Sequence, residues 1–243
     1  EGSVEASYRV ASRIVELVGA NVPVLRGVPG ELHARRSGKL SDAAGFLIHE
    51  ALTSDDRPLY VLCLGAISNI AEALISSPGI ASRMTVVWIG TQALDASVPA
   101  VHEFNAGNDV GAANIVMESG TTIWLIPSNV YSSMNVGLSE LQLRVRPFGV
   151  VGRYLFDQLV AFNATDGAWW TAGESWSLGD CPAIGVAIKP DCGSYHYAPA
   201  PLVRKDTTSQ YDPSRPVVRI YDSIDSRFVL EDLYAKLQLL SPI

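Results

Sequence analysis

Residues 102–109 read His-Glu-Phe-Asn-Ala-Gly-Asn-Asp and hold the best candidates for chemistry in the chain. A carboxylate, Glu103, and a carboxamide, Asn105, stand two positions apart. In extended backbone, side chains two apart share a face, so the pair is expected to project together while Phe104 turns into the core. A carboxylate that only accepts, beside an amide that donates and accepts, suits a polyol, whose hydroxyls need both kinds of partner. The alternative is that both side chains satisfy backbone groups in a loop, and the residues alone leave the two level. Asp109 is placed to cap a helix over the Ala-rich run 110–118. His102 could serve as an acid, but alternation turns it toward the face of Phe104 and predicts a core or loop histidine. Ser128, Asn129 and Tyr131 follow a predicted strand and could line the same pocket, with a turn role open for Asn129.

The elements that must position these residues alternate. Helical periodicity covers 3–18, with Ser3 as N-cap and Gly19 as stop, and Asn21–Leu25 reads as a short strand or extended segment. Ser41 and Asp42 open a helix to about Leu52. Leu59–Leu64 is a continuous apolar run of the kind buried on both faces, and a turn at Gly65 leads through Ser68 and Asn69 into helix 69–76. Met84–Ile89, helix 109–119 and Thr122–Ile126 repeat the unit. Beyond residue 138 the pattern turns helical (139–145, 148–163, 183–189), then to short strands and turns over 194–222 and a closing helix over 226–240. Parallel strands need helical crossovers. The fold class expected is therefore α/β, a mainly parallel sheet flanked by helices, with a helical and irregular C-terminal part. Ligands of such sheets bind beyond the carboxyl ends of the strands, which here means Gly65–Asn69, Gly90–Asn105 and Pro127–Tyr131.

Composition narrows the function. With 243 residues, 48% of them hydrophobic, one domain over 1–243 is expected. Asp and Glu number 25 against 18 Lys and Arg, a formal charge of −7, which argues against nucleic acid as a partner. No apolar run approaches the roughly 18 residues of a membrane span, and the opening Glu-Gly-Ser-Val is no signal peptide; a processed start would leave a secreted or periplasmic location open. Cys63, Cys181 and Cys192 give neither a disulfide framework nor metal-ligand spacing. Cys63 is expected to be a buried thiol; Cys181 and Cys192 could pair in an oxidising compartment, but unpaired is the preferred reading.

Leu64-Gly65-Ala66-Ile67-Ser68-Asn69-Ile70, Val86-Val87-Trp88-Ile89-Gly90, Glu103-Phe104-Asn105 with Asp109, Ala112-Ala113 and Glu118-Ser119-Gly120 together resemble the inosine–uridine-preferring nucleoside hydrolases. Order and spacing match over roughly residues 1 to 190, and Gly179-Asp180 is similar to the late His-Asp pair of that family. The resemblance implies hydrolysis of the N-glycosidic bond of ribonucleosides assisted by calcium. It gives Glu103 and Asn105 the ribose hydroxyls, with Ser97 near a position where the family uses an asparagine for ribose. It gives calcium the Asp180 carboxylate and the Ser68 carbonyl, and it implies a homo-oligomer. Calcium favours many oxygen ligands and acidifies bound water, and a carboxylate-lined site favours a ribosyl group that gains positive charge.

The departures from the pattern are as informative. No Asp-x-Asp-x-x-x-Asp-Asp run occurs, so the domain is expected to be N-terminally incomplete relative to the family. The general base and most metal ligands would then come from outside this chain. Gly179 stands where the family has a histidine, leaving the acid role without a carrier. As it stands, the chain is not expected to hydrolyse nucleosides. The competing function is a non-catalytic carbohydrate-binding or accessory module. Trp169, Trp170 and Trp176 sit close together and could stack on sugar rings, although packing a helical lid over the sheet is the preferred role for them.

Overall fold

The computed structural model describes residues 2–32, 38–53, 56–94, 97, 102–168, 171 and 173–240. Helix α1 (Gly2–Val18) is followed by irregular chain and then α2 (Asp42–Leu52), capped by the Ser41 side chain, which accepts from the Ala44 amide. The core unit then runs β1 (Tyr60–Cys63), α3 (Ser68–Ser76), β2 (Thr85–Ile89), the one-turn α4 (Phe104–Gly107), α5 (Val110–Glu118) and β3 (Thr122–Ile126). After it come α6 (Ser128–Tyr131), β4 (Asn135–Gly137), α7 (Leu138–Arg144), α8 (Gly149–Asn163), β5 (Ser175–Ser177) and α9 (Cys181–Ile188). The chain closes with β6 (Tyr195–Pro199), β7 (Leu202–Val203), β8 (Ser209–Gln210), β9 (Val217–Tyr221) and α10 (Ser226–Leu240). No helix among the described residues is long and apolar enough to cross a membrane.

The central sheet has the order β1-β2-β3-β9-β6, parallel except for β6. The two-residue period of the strands divides its apolar residues between two layers. Val86, Ile123, Leu125, Val218 and Ile220 pack with Ala44, Leu47, Ile70 and Val116 from α2, α3 and α5. Val87, Ile89, Trp124, Ile126 and Tyr221 pack on the other face with Ala183, Val186 and Val229 from α9 and α10. A third cluster joins Val136, Leu141 and Tyr234, with Trp176 and Phe156 against it. Trp176 meets Phe162 edge-on at 6.0 Å, so it packs the helical layer; Trp169 and Trp170 lie outside the described residues.

Asn21–Leu25 forms no strand, which leaves the extended-segment reading of it. One expectation is corrected. The Leu59–Leu64 run is not buried on both faces: β1 is an edge strand with Tyr60 exposed and Val61 and Leu62 half-buried. Because Leu59 C=O accepts from the Thr85 amide, the alternating ladder turns the peptide groups of Tyr60 and Leu62 toward the open edge. A cavity of about 510 Å³ runs along this edge between Phe46, Tyr60, Leu62 and Leu64. The 194–222 region holds short strands, as expected, and one of them, β9, joins the central ladder between β3 and β6. The three cysteines are unpaired, and burial pushes the Cys63 thiol up to about 12.

Candidate functional site

The residues singled out by type gather at the carboxyl ends of β2 and β3, but not in extended backbone. Glu103 is the N-cap of α4, with β-region dihedrals of its own. Its Oε2 accepts from the amides of Ala106 at 2.7 Å and Thr91 at 3.0 Å. Its Oε1 accepts from the Asn105 amide at 3.1 Å and the Tyr131 hydroxyl at 2.7 Å. A carboxylate offers about four lone-pair directions, and all four are met, three of them by main-chain donors. The one-turn helix also reverses the expected facing: Glu103 is 1% exposed, while Phe104, expected in the core, is 69% exposed.

Asn105 lies beneath the same turn. Its Nδ2 donates to the Ile89 carbonyl at 2.8 Å, which ties α4 to the end of β2. Its Oδ1 accepts no hydrogen bond among the described residues, so it is the acceptor still available at this spot. Asp109 caps α5 as expected: Oδ1 accepts from the Ala112 amide, and Oδ2 accepts from the Leu32 amide and the Ser68 hydroxyl.

Long-range partners absent from the local sequence hold this arrangement. The Thr207 hydroxyl, in the β7–β8 turn, accepts from the Glu103 amide at 2.8 Å and from Gln92 Nε2 at 3.3 Å. Ser209 Oγ donates to the Gln92 carbonyl. Thr91 and Thr207 both adopt φ of +68°, a left-handed conformation that β-branched residues rarely take. Thr91 is fully buried and its Oγ1 has no hydrogen-bond partner among the described residues. Strain of this kind concentrates where a loop is over-determined by its surroundings; here the Thr91 amide serves Glu103 and its carbonyl receives the Ser128 amide.

Asp180 sits at the N-cap position of α9 but makes no side-chain cap bond. Its residue reaches solvent, while atoms packed around the carboxyl raise its pKa by desolvation. Neither Asp180 nor Glu103 is paired with a cation among the described residues. Gly179 is the reason Tyr131 fits beside them: a Cβ there would lie 3.1 Å from Tyr131 Cδ2. Burial, then the Glu103 and Asp180 charges, push the Tyr131 phenol well above its ordinary range.

The remaining candidates are more scattered. Ser68 opens α3 at the end of β1, beside Asp109. Asn129 is exposed on α6, and Ser97 is exposed in a turn. His102 packs on Gly107, where its Nε2 would lie 2.8 Å from a Cβ, in agreement with a loop histidine. A cavity of about 330 Å³ between α1 and the end of β1 is lined by Tyr8, Val28, Ser68, Asn69 and Asn108; it adjoins the carboxylate cluster without including it. Calcium takes about six to eight oxygens, and no group of three or more His, Cys, Asp or Glu side chains that could hold a metal is found among the described residues. Asp109 is spent on three donors, so Asp180 and the Ser68 carbonyl alone do not fit that ion.

A mainly parallel ladder covered on both faces, with an acid–amide pair at its carboxyl ends, is an open α/β sheet, a fold whose ligands commonly bind beyond the strand ends. Solved structures share this fold at low identity. A plant nucleoside hydrolase superposes with a TM-score of 0.78 at 18% identity, covering 97% of this chain and 86% of that one. A purine-preferring ribonucleoside hydrolase from Gardnerella vaginalis gives 0.75 at 19%, covering 93% and 83%. An inosine-uridine preferring nucleoside hydrolase from Bacillus anthracis gives 0.59 at 18%, covering 84% and 67%. No curated protein matches by sequence. The inosine-uridine preferring nucleoside hydrolase family model matches residues 1–229, and the chain belongs to that family.

Proposed function

We propose that this chain binds the ribosyl part of a ribonucleoside at the carboxyl ends of β2 and β3. Hydrolysis of the N-glycosidic bond would then require carboxylates beyond those the described residues bring beside Asp180. The observation that carries this reading is the rigid acid–amide pair: Glu103, locked by three main-chain amides, beside Asn105 with its Oδ1 unused. Preorganised carboxylates with no cation among the described residues favour positive charge as it develops on a ribosyl ring. The structural relatives named as nucleoside and ribonucleoside hydrolases point the same way. Ser97 and Asn129 would reach the ligand from the rim. Asp180 and the Ser68 carbonyl would be two of the oxygens toward a metal, too few to hold it by themselves.

The test is calorimetric titration with inosine of the wild-type chain and of Asn105→Ala. Saturable binding that weakens at least tenfold in the variant supports the reading. Equal binding by both proteins, or binding by neither, refutes it.

A further inference from the structure

We propose that Tyr131 is a specificity-determining gate on Glu103, a hydroxyl that occupies the place of a ligand hydroxyl until the ligand displaces it. The inference rests on the ribosyl-binding reading above and goes beyond it by naming what the ligand must expel. Glu103 is nearly sealed from solvent, and its four acceptor directions are filled. Three donors, the amides of Thr91, Asn105 and Ala106, belong to the backbone of α4 and the β2 end. They cannot leave without unravelling the turn. Tyr131 supplies the fourth from a side chain, at 2.7 Å to Oε1. A ligand hydroxyl can therefore gain Glu103 only at the Tyr131 position.

The ring has a built reason to be there. Gly179 leaves the space that Tyr131 fills, 3.1 Å from where a Cβ would stand. Tyr131 is half-buried and packs at the rim of the layer formed by Val87, Ile89 and Tyr221, so its ring moves at the edge of the core and not within it. The exchange replaces one hydroxyl donor by another and leaves Glu103 fully satisfied before and after. It sets a threshold: only a ligand whose hydroxyl outcompetes the phenol gains entry. A deoxy analogue lacking that hydroxyl would leave the Tyr131 bond in place.

Calorimetry with inosine on wild type, Tyr131→Phe and Gly179→Ala tests this. Removing the competing donor should tighten binding roughly tenfold, the scale of one hydrogen bond to a charged acceptor. The same substitution should lower the melting temperature of the free protein, whose Glu103 loses a partner. Gly179→Ala should tighten binding as well, by less, because its Cβ makes the ring give by a few tenths of an ångström and weakens the bond to Glu103, and it serves if Tyr131→Phe folds poorly. A role confined to structure would lower the melting temperature without raising affinity. Unchanged or weaker inosine binding in both variants, with wild-type binding intact and sensitive to Asn105→Ala, overturns the gate and leaves the ribosyl reading standing. Binding by no protein in the set overturns both.

Discussion

Replacing Thr91 by Ala and by Gly separates two costs that the fold imposes at one position. Thr91 is fully buried with φ of +68°, and its hydroxyl is unpartnered among the described residues. A left-handed conformation costs a residue with a Cβ about 1–2 kcal/mol, while glycine gives back about 0.5–1 kcal/mol through its freer unfolded chain. Thr91→Ala keeps the backbone strain, removes the orphan hydroxyl and gives up one buried methyl, two changes that oppose each other. Thr91→Gly also releases the strain, so it should exceed the Ala variant by about 1 kcal/mol. For a chain of this size that is a melting temperature roughly 2–4 °C higher. Thermal unfolding followed by circular dichroism, with both variants under one buffer, reads the difference. A Gly variant that melts at or below the Ala variant would refute the left-handed geometry and with it the account of how the β2 end presents its amide to Glu103.

Three further outcomes follow from the same structure. Glu103→Gln should lose about 3 kcal/mol, because an amide nitrogen faces donors and leaves at least one of them unpaired in a buried setting; denaturant unfolding checks this. Thr207→Val keeps the shape and the strained φ but removes the acceptor shared by the Glu103 amide and Gln92, at a cost of about 1–3 kcal/mol in the same experiment. The Arg144 guanidinium forks onto Glu231 at 2.6 Å on each arm and holds that carboxyl below its ordinary value, chiefly by hydrogen bonding. The stability this contributes is complete above the unfolded-state pKa of a glutamate and is lost as pH falls through the depressed native value. Glu231→Gln should therefore melt lower than wild type at pH 7 and coincide with it at low pH.

The sheet and its helices were largely legible because their signals are local. Thr122–Ile126 and residues 226–240 emerge with the predicted bounds, each an uninterrupted pattern ended by turn chemistry. Short strands were expected over 194–222, but the place of β9 in the central sheet was not legible, because Arg219 breaks its apolar run; the structure stacks that guanidinium on Trp124 and Tyr195, each at 4.2 Å. The edge position of β1 was invisible, since an apolar run does not say how many neighbours it has. Glu103 and Asn105 stood out in the sequence by type and spacing, but their geometry did not. A carboxylate that accepts from amides two and three residues onward makes a helix cap, and this local bonding overrode the alternation of an extended chain. Thr207, Thr91 and the Tyr131–Gly179 fit depend on contacts across dozens of residues, and no spacing rule carries them.

Hydrogen exchange of the chain with and without saturating inosine tests the central claim most directly. Binding at the carboxyl ends of β2 and β3 predicts slowed exchange over residues 89–92, 103–109 and 128–131, with the segment 171–178 unchanged. Protection confined to 171–178, or no change at the strand ends, would contradict it.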